Sequence, residues 1–200
     1  MPIRMLEKLW NRLGRATLRH EPAAIRTREG RGLTDSRHLV FLVPATKSLH
    51  RAQPRKLVAH LSVRQDMPDW TCVVDTGWTR KAHAKSRAQR IKKMEGAVDL
   101  PPDFPQDPRI HLFWRDDVSQ QGLPKELPAP LKEGDTLIYL HRGGDALVME
   151  SLLKRSTLPF KVGPTQQEPE LDFMLTWPEG GDMSSFVQLT LHYLNTLDLK

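Results

Sequence analysis

A chain of 200 residues, 38% of them hydrophobic, can build one real core, which suits a single domain or a domain with a tail. Its single cysteine, Cys72, excludes an intrachain disulfide and a cysteine-based zinc site. No stretch approaches the ~20 apolar residues of a transmembrane helix, so the expectation is a soluble, cytoplasmic protein, at most peripheral to a membrane. The net charge of +6 is unevenly spread: residues 1–100 hold 21 Lys/Arg against 9 Asp/Glu, and residues 101–200 hold 9 against 15. Either one face meets a polyanion or two opposed halves neutralise each other.

Residues 1–20 read as an amphipathic helix. Met5, Leu6, Leu9, Trp10 and Leu13 recur at helical spacing, and Arg4, Lys8, Arg12, Arg15 and Arg19 fill the remainder. Such a helix docks on an anionic membrane, on a protein partner, or on its own domain. Residues 21–37 read as a flexible basic arm, with Arg26, Arg28, Arg31 and Arg37 around Gly30 and Gly32. These first 37 residues precede a single α/β domain, 38–200.

Within that domain, Leu39–Val43 is a continuous apolar run closed by Pro44, the mark of a strand buried on both faces. Pro54 suits the first turn of a helix whose apolar face is Leu57, Val58 and Leu61. Thr71–Val74 is a second buried strand, placing Cys72 in the core as a structural thiol. A basic helix spans about 79–94, with Ala84, Ala88, Ile91 and Met94 as its expected packing face. Ile110–Trp114 is the third strand, lying between proline-rich segments at 100–109 and 122–130. Thr136–Leu140 is the fourth strand. Gly143-Gly144 introduces a helix over Asp145–Arg155, and Pro159–Val162 is a short strand. Asp172–Trp177 is the sixth strand, and a helix over 184–197, with Ser184 as its cap, closes the chain. Strands apolar throughout, alternating with helices, predict a Rossmann-like, mostly parallel sheet covered on both faces.

No GxGxxG, Walker loop, HExxH, nucleophile elbow or CxxC occurs, which removes the standard dinucleotide enzymes, P-loop NTPases, zincins and serine hydrolases as leading readings. In open parallel sheets, ligands sit beyond the carboxyl ends of the strands. The residues expected there are Thr46 and Lys47; Asp75, Thr76, Gly77 and Trp78; Arg115, Asp116 and Asp117; and His141, Arg142, Gly143, Gly144 and Asp145. Asp75, Asp116, Asp117 and Asp145 could share a Mg²⁺ ion, as hard oxygen ligands do in phosphodiester chemistry. The commonest role of aspartates at such positions, however, is to cap helices and close turns. Gly143-Gly144 with Arg142 offers backbone N–H groups and a guanidinium to a phosphate, against an ordinary cap made by Asp145. The densest signal is cationic: Arg80, Lys81, Lys85, Arg87, Arg90, Lys92 and Lys93 within one helix. Like charges three and four apart destabilise a lone helix, and a bound polyanion would relieve them, with Trp78 as a stacking platform for a base. The alternative is a solvated helix facing the acidic half. The first expectation is therefore a non-catalytic or accessory protein that binds nucleic acid or a nucleotide. A Mg-dependent nuclease or phosphotransfer enzyme is the second, and a module recruited by residues 1–20 the third.

Overall fold

The computed structural model describes residues 3–45, 53–65, 67–93, 104–142, 146–165 and 169–197, with the side chains of residues 3–8 and 93 outside that set. The chain runs α1 (Ile3–His20), β1 (His38–Pro44), α2 (Gln53–Ser62), β2 (Asp69–Asp75), α3 (Arg80–Lys93), β3 (Ile110–Phe113), α4 (Pro130–Glu133), β4 (Thr136–Tyr139), α5 (Leu147–Arg155), β5 (Phe160–Pro164), β6 (Phe173–Leu175) and α6 (Met183–Leu197). The short α4 begins inside the proline-rich segment expected as loop. Pro130 occupies a first-turn position where its missing N–H is no loss.

All six strands are parallel, in the order β3-β2-β1-β4-β5-β6. This is a Rossmann-like α/β sheet. Its centre is β1, with Leu39 in register with Trp70 on one side and Thr136 on the other. Alternate residues of β1 serve opposite faces, as the two-residue strand period requires. Leu39, Phe41 and Val43 join α2 and α6 through Leu57, Leu61, Phe186 and Leu191. Val40 and Leu42 join α4 and α5 through Leu131, Val148 and Leu152. Burying the five side chains Leu39–Val43 contributes on the order of 10 kcal/mol. Cys72 is fully buried, as expected of a structural thiol.

Residues 21–37, expected as a flexible arm, contain no helix or strand and run along the domain, tied to it at several points. The Ala24, Glu29 and Leu33 N–H groups donate to the carbonyls of Lys154, Pro159 and Leu194. The Arg26 guanidinium donates both terminal nitrogens to Asp172, at 2.7 and 2.9 Å, and reaches the carbonyls of Pro159 and Glu170. Asp135 accepts from the N–H groups of Arg37 and His38, fixing the entry to β1. At the chain's far end the cap of α6 is Asp182, not Ser184. Asp182 Oδ1 accepts the Ser185 N–H at 3.0 Å, a carboxylate at the positive end of the helix dipole.

The N-terminal helix packs on α5 by an unexpected face. Gly14 lies against the Gln121 carbonyl and Leu147, so closely that a Cβ there would clash. Leu18 buries with Leu123 and Leu147. Lys154 Nζ donates to the Leu18 carbonyl at 2.7 Å, and Arg155 pairs with Glu21. Among the described residues, no helix is long and apolar enough to cross a membrane.

Candidate functional site

Because every strand points the same way, the loops after β1, β2, β3 and β4 emerge at one edge of the sheet. The loops after β2 and β3 are welded there. Arg115 N–H donates to the Trp78 carbonyl at 2.8 Å, and Thr76 donates both its N–H and its hydroxyl to the Phe113 carbonyl. Gly77, at φ 66°, makes the turn that such a positive angle reserves for residues without a Cβ.

Asp75 closes β2 with 2% of its surface exposed. Its Oδ1 accepts the Gly77 N–H at 3.1 Å, and its Oδ2 lies 3.9 Å from the Arg115 guanidinium. Burial raises its carboxyl above the ordinary value, and Arg115 and the Gly77 N–H only partly offset this. Asp116 and Asp117 are turned to a different task. Asp116 Oδ2 accepts the Arg80 N–H at 2.7 Å, and Asp117 accepts both terminal nitrogens of Arg80 at 3.1 Å. Burial disfavours the ionised Asp117, but the Trp114 N–H and the Arg80 guanidinium outweigh it and hold the carboxyl below its usual value. The two aspartates thus cap and clamp the start of α3. Among the described residues no group of three or more His, Cys, Asp or Glu side chains is placed to hold a metal ion. Asp145, the fourth expected ligand, lies outside the described residues, as do Thr46, Lys47, Gly143 and Gly144. Arg142 is described and exposed, and His141 beside it is half-buried.

The basic helix stands apart from the core. From Arg80 to Lys92, no side chain of α3 is buried. Its expected packing face is only partly right: Ile91 is half-buried, but Ala84 and Ala88 are exposed and His83, Ser86, Arg87 and Arg90 are the other half-buried positions, while Met94 lies outside the described residues. An aromatic pocket rather than an apolar stripe sets that orientation. The His83 ring lies 5.3 Å from Trp114, 5.5 Å from Phe104 and 6.5 Å from Trp78. Phe104 belongs to the α2/α6 core cluster and Trp114 packs against it. The Arg80 guanidinium adds a cation–π contact 5.8 Å above Trp114. The sequence carried no signal for this group, whose members come from three separate segments.

The outer face of α3 therefore presents Lys81, Lys85 and Lys92, with the small side chains of Ala84 and Ala88 between them. None of these three lysines makes an ion pair among the described residues, whereas Arg80 is spent on Asp117. Lys93 is on the same helix, its side chain outside the described set. The helix contains no acidic residue. A separate cleft of about 270 Å³ lies between α1 and α5 and is lined by Arg15, Glu150, Lys154 and Glu170. Charges of both signs meet there, with Arg15 3.5 Å from Glu150.

Whatever this edge and this helix do cannot be borrowed from a relative: comparison with protein-family models, with curated proteins and with solved structures returns no match for this chain.

Proposed function

We propose that the chain is a non-catalytic nucleic-acid-binding protein that lays the exposed face of α3 along a phosphate backbone. The supporting observation is the character of that face: Lys81, Lys85 and Lys92 outward, no acidic neighbour on the helix, and packing left to other positions of α3, His83 among them. At 1.5 Å per residue, Lys81 and Lys92 stand roughly 16 Å apart along the helix axis. That length matches about five phosphates of one strand at 3.4 Å per step. The positive end of the helix is not the anion site, because Asp116 already occupies it. Trp78 and Trp114, both half-buried beside His83, lie at the same end of α3, where bases leaving the backbone could stack. A mononucleotide would engage only part of such a face, so an extended polyanion is the better fit.

The test is a salt titration with fluorescently labelled single- and double-stranded DNA and RNA. Each phosphate contact contributes about 0.9 to the slope of log affinity against log salt on a duplex. A Lys81→Gln/Lys85→Gln/Lys92→Gln variant should bind more weakly at low salt and lose ~2.7 of that slope. The three side chains are exposed, so the circular dichroism spectrum and thermal midpoint should not change. Absence of binding at low salt, or an unchanged slope in the triple variant, refutes the reading.

A further inference from the structure

The N-terminal helix turns two leucines of its apolar stripe, Leu9 and Leu13, away from the protein. Leu9 and Leu13 are 46% and 42% exposed, one helical turn apart. The face that packs on the domain is carried instead by Gly14 and Leu18, against Gln121, Leu123 and Leu147. At ~100° per residue, the midpoint between Leu9 and Leu13 points about 140° away from that between Gly14 and Leu18. An amphipathic helix that served only its own core would put the leucines inward. Here the missing Cβ of Gly14 takes that place, and the leucines are left in water.

What surrounds the stripe narrows its occupant. Arg12 and Arg19 are exposed and flank the leucines on one side, about 90° around the helix. Arg15 is turned toward Glu150, and half-buried Trp10 borders the other side. From residue 8 to residue 20 the helix has no acidic side chain. Leucine and tryptophan beside arginine, on a helix held flat along a domain, are the ingredients of a segment that lies in a lipid headgroup layer. A second copy of this chain would bring the same arginines to the contact and repel them. A phosphate backbone would satisfy the arginines but leave the leucines exposed.

We infer that α1 is an interfacial helix that seats the domain on an anionic lipid surface, with Leu9 and Leu13 entering the acyl boundary and Arg12 and Arg19 resting on headgroup phosphates. This attachment involves a different element from α3 and stands independently of nucleic-acid binding.

The experiment is co-sedimentation of the full chain with vesicles of phosphatidylserine and phosphatidylcholine in equal parts, and with phosphatidylcholine alone. The expected result is binding to the mixed vesicles, weaker by about tenfold or more on the neutral ones. Leu9→Asp/Leu13→Asp should reduce binding by about tenfold or more, with an unchanged thermal midpoint because both side chains are exposed. Arg12→Glu/Arg19→Glu, which leaves the leucines in place, should erase the preference for phosphatidylserine at roughly fivefold per cation removed. The inference is overturned by any of three results. One is no sedimentation with the mixed vesicles. Another is a dimer in solution that Leu9→Asp/Leu13→Asp dissolves, in the absence of vesicle binding. The third is vesicle binding that survives Leu9→Asp/Leu13→Asp and disappears with the α3 lysines.

Discussion

Removing the carboxylate of Asp172 should be among the most damaging single changes in this protein. The Arg26 side chain is 3% exposed and that of Asp172 11%. The guanidinium donates to four acceptors: Asp172 Oδ2 and the Pro159 carbonyl at 2.7 Å, Asp172 Oδ1 at 2.9 Å and the Glu170 carbonyl at 3.0 Å. Asp172 Oδ2 also accepts the Lys161 N–H at 2.9 Å, at the edge of β5. Asp172→Ala would leave a buried cation facing two neutral carbonyls and a backbone N–H without its acceptor. Breaking a buried pair from one side costs about 3–5 kcal/mol, roughly a fifth or more of the ~5–15 kcal/mol that holds a typical domain together. Asp172→Asn keeps an acceptor for Lys161 and loses the charge, so its cost should be smaller, about 1.5–3 kcal/mol. Replacing both partners together, Arg26→Met/Asp172→Leu, removes the stranded charge and should recover most of the loss. Urea unfolding followed by circular dichroism gives all three values on one scale. A cost below ~1 kcal/mol for Asp172→Ala, or a double variant no more stable than that single one, would refute the idea that this pair fastens residues 21–37 to the sheet.

Two further outcomes concern pH. Burial of Lys161, aided by repulsion from Arg26 and Arg28 and partly offset by Glu170 and Asp172, pushes its amine down to about 8. The unfolded chain holds that proton up to 10.5, so native stability should rise between those values, by on the order of 3 kcal/mol. Lys161→Met should flatten the rise in a series of urea titrations; an identical profile in the variant would contradict it. Asp75 has the opposite arrangement, a carboxyl raised by burial. Its ionised form costs stability at neutral pH, so Asp75→Asn should raise the thermal midpoint there. That advantage should vanish as the pH falls through the raised native value and below the ordinary 3.8, where both states are protonated. A midpoint lowered at neutral pH would show that the Arg115 contact outweighs the burial.

The sheet was legible because its evidence is local. Leu39–Val43, Thr71–Val74 and Thr136–Leu140 are apolar on both sides of the pleat, and only a strand covered on both faces tolerates that. Parallel direction then put Asp75, Arg115 and Arg142 at one edge, as the loops suggested. What escaped the sequence depends on partners far along the chain. Arg26 reads as one more cation in a polar stretch until Asp172, 146 residues away, meets it. Lys161 alternates with apolar neighbours in a short strand, yet it is fully buried, its amine donating to the Leu153 carbonyl at 2.7 Å. The aspartates after β3 were legible as turn or ligand residues, and the choice between them rests on Arg80, which arrives from another loop. On α3, Ile91 was legible as a packing position, but two alanines were counted with it where a histidine among three aromatic rings anchors the helix instead. On α1 the stripe was plain and its direction was not. A glycine's power to bring two backbones together leaves no trace in hydrophobic periodicity.

The order of the strands governs how this chain must be made. The central strand meets one neighbour early, His38 opposite Asp69, and the other late, Leu39 opposite Thr136. A polypeptide emerging from the ribosome can therefore assemble β1, β2 and β3 while one whole margin of β1 still lacks its partner. That margin is a row of free peptide groups on a strand whose Leu39–Val43 run is apolar throughout, the template on which chains stick to one another. Truncation before residue 136 should thus yield insoluble material rather than a smaller folded unit, read as the fraction of the shortened chain left in the supernatant after centrifugation.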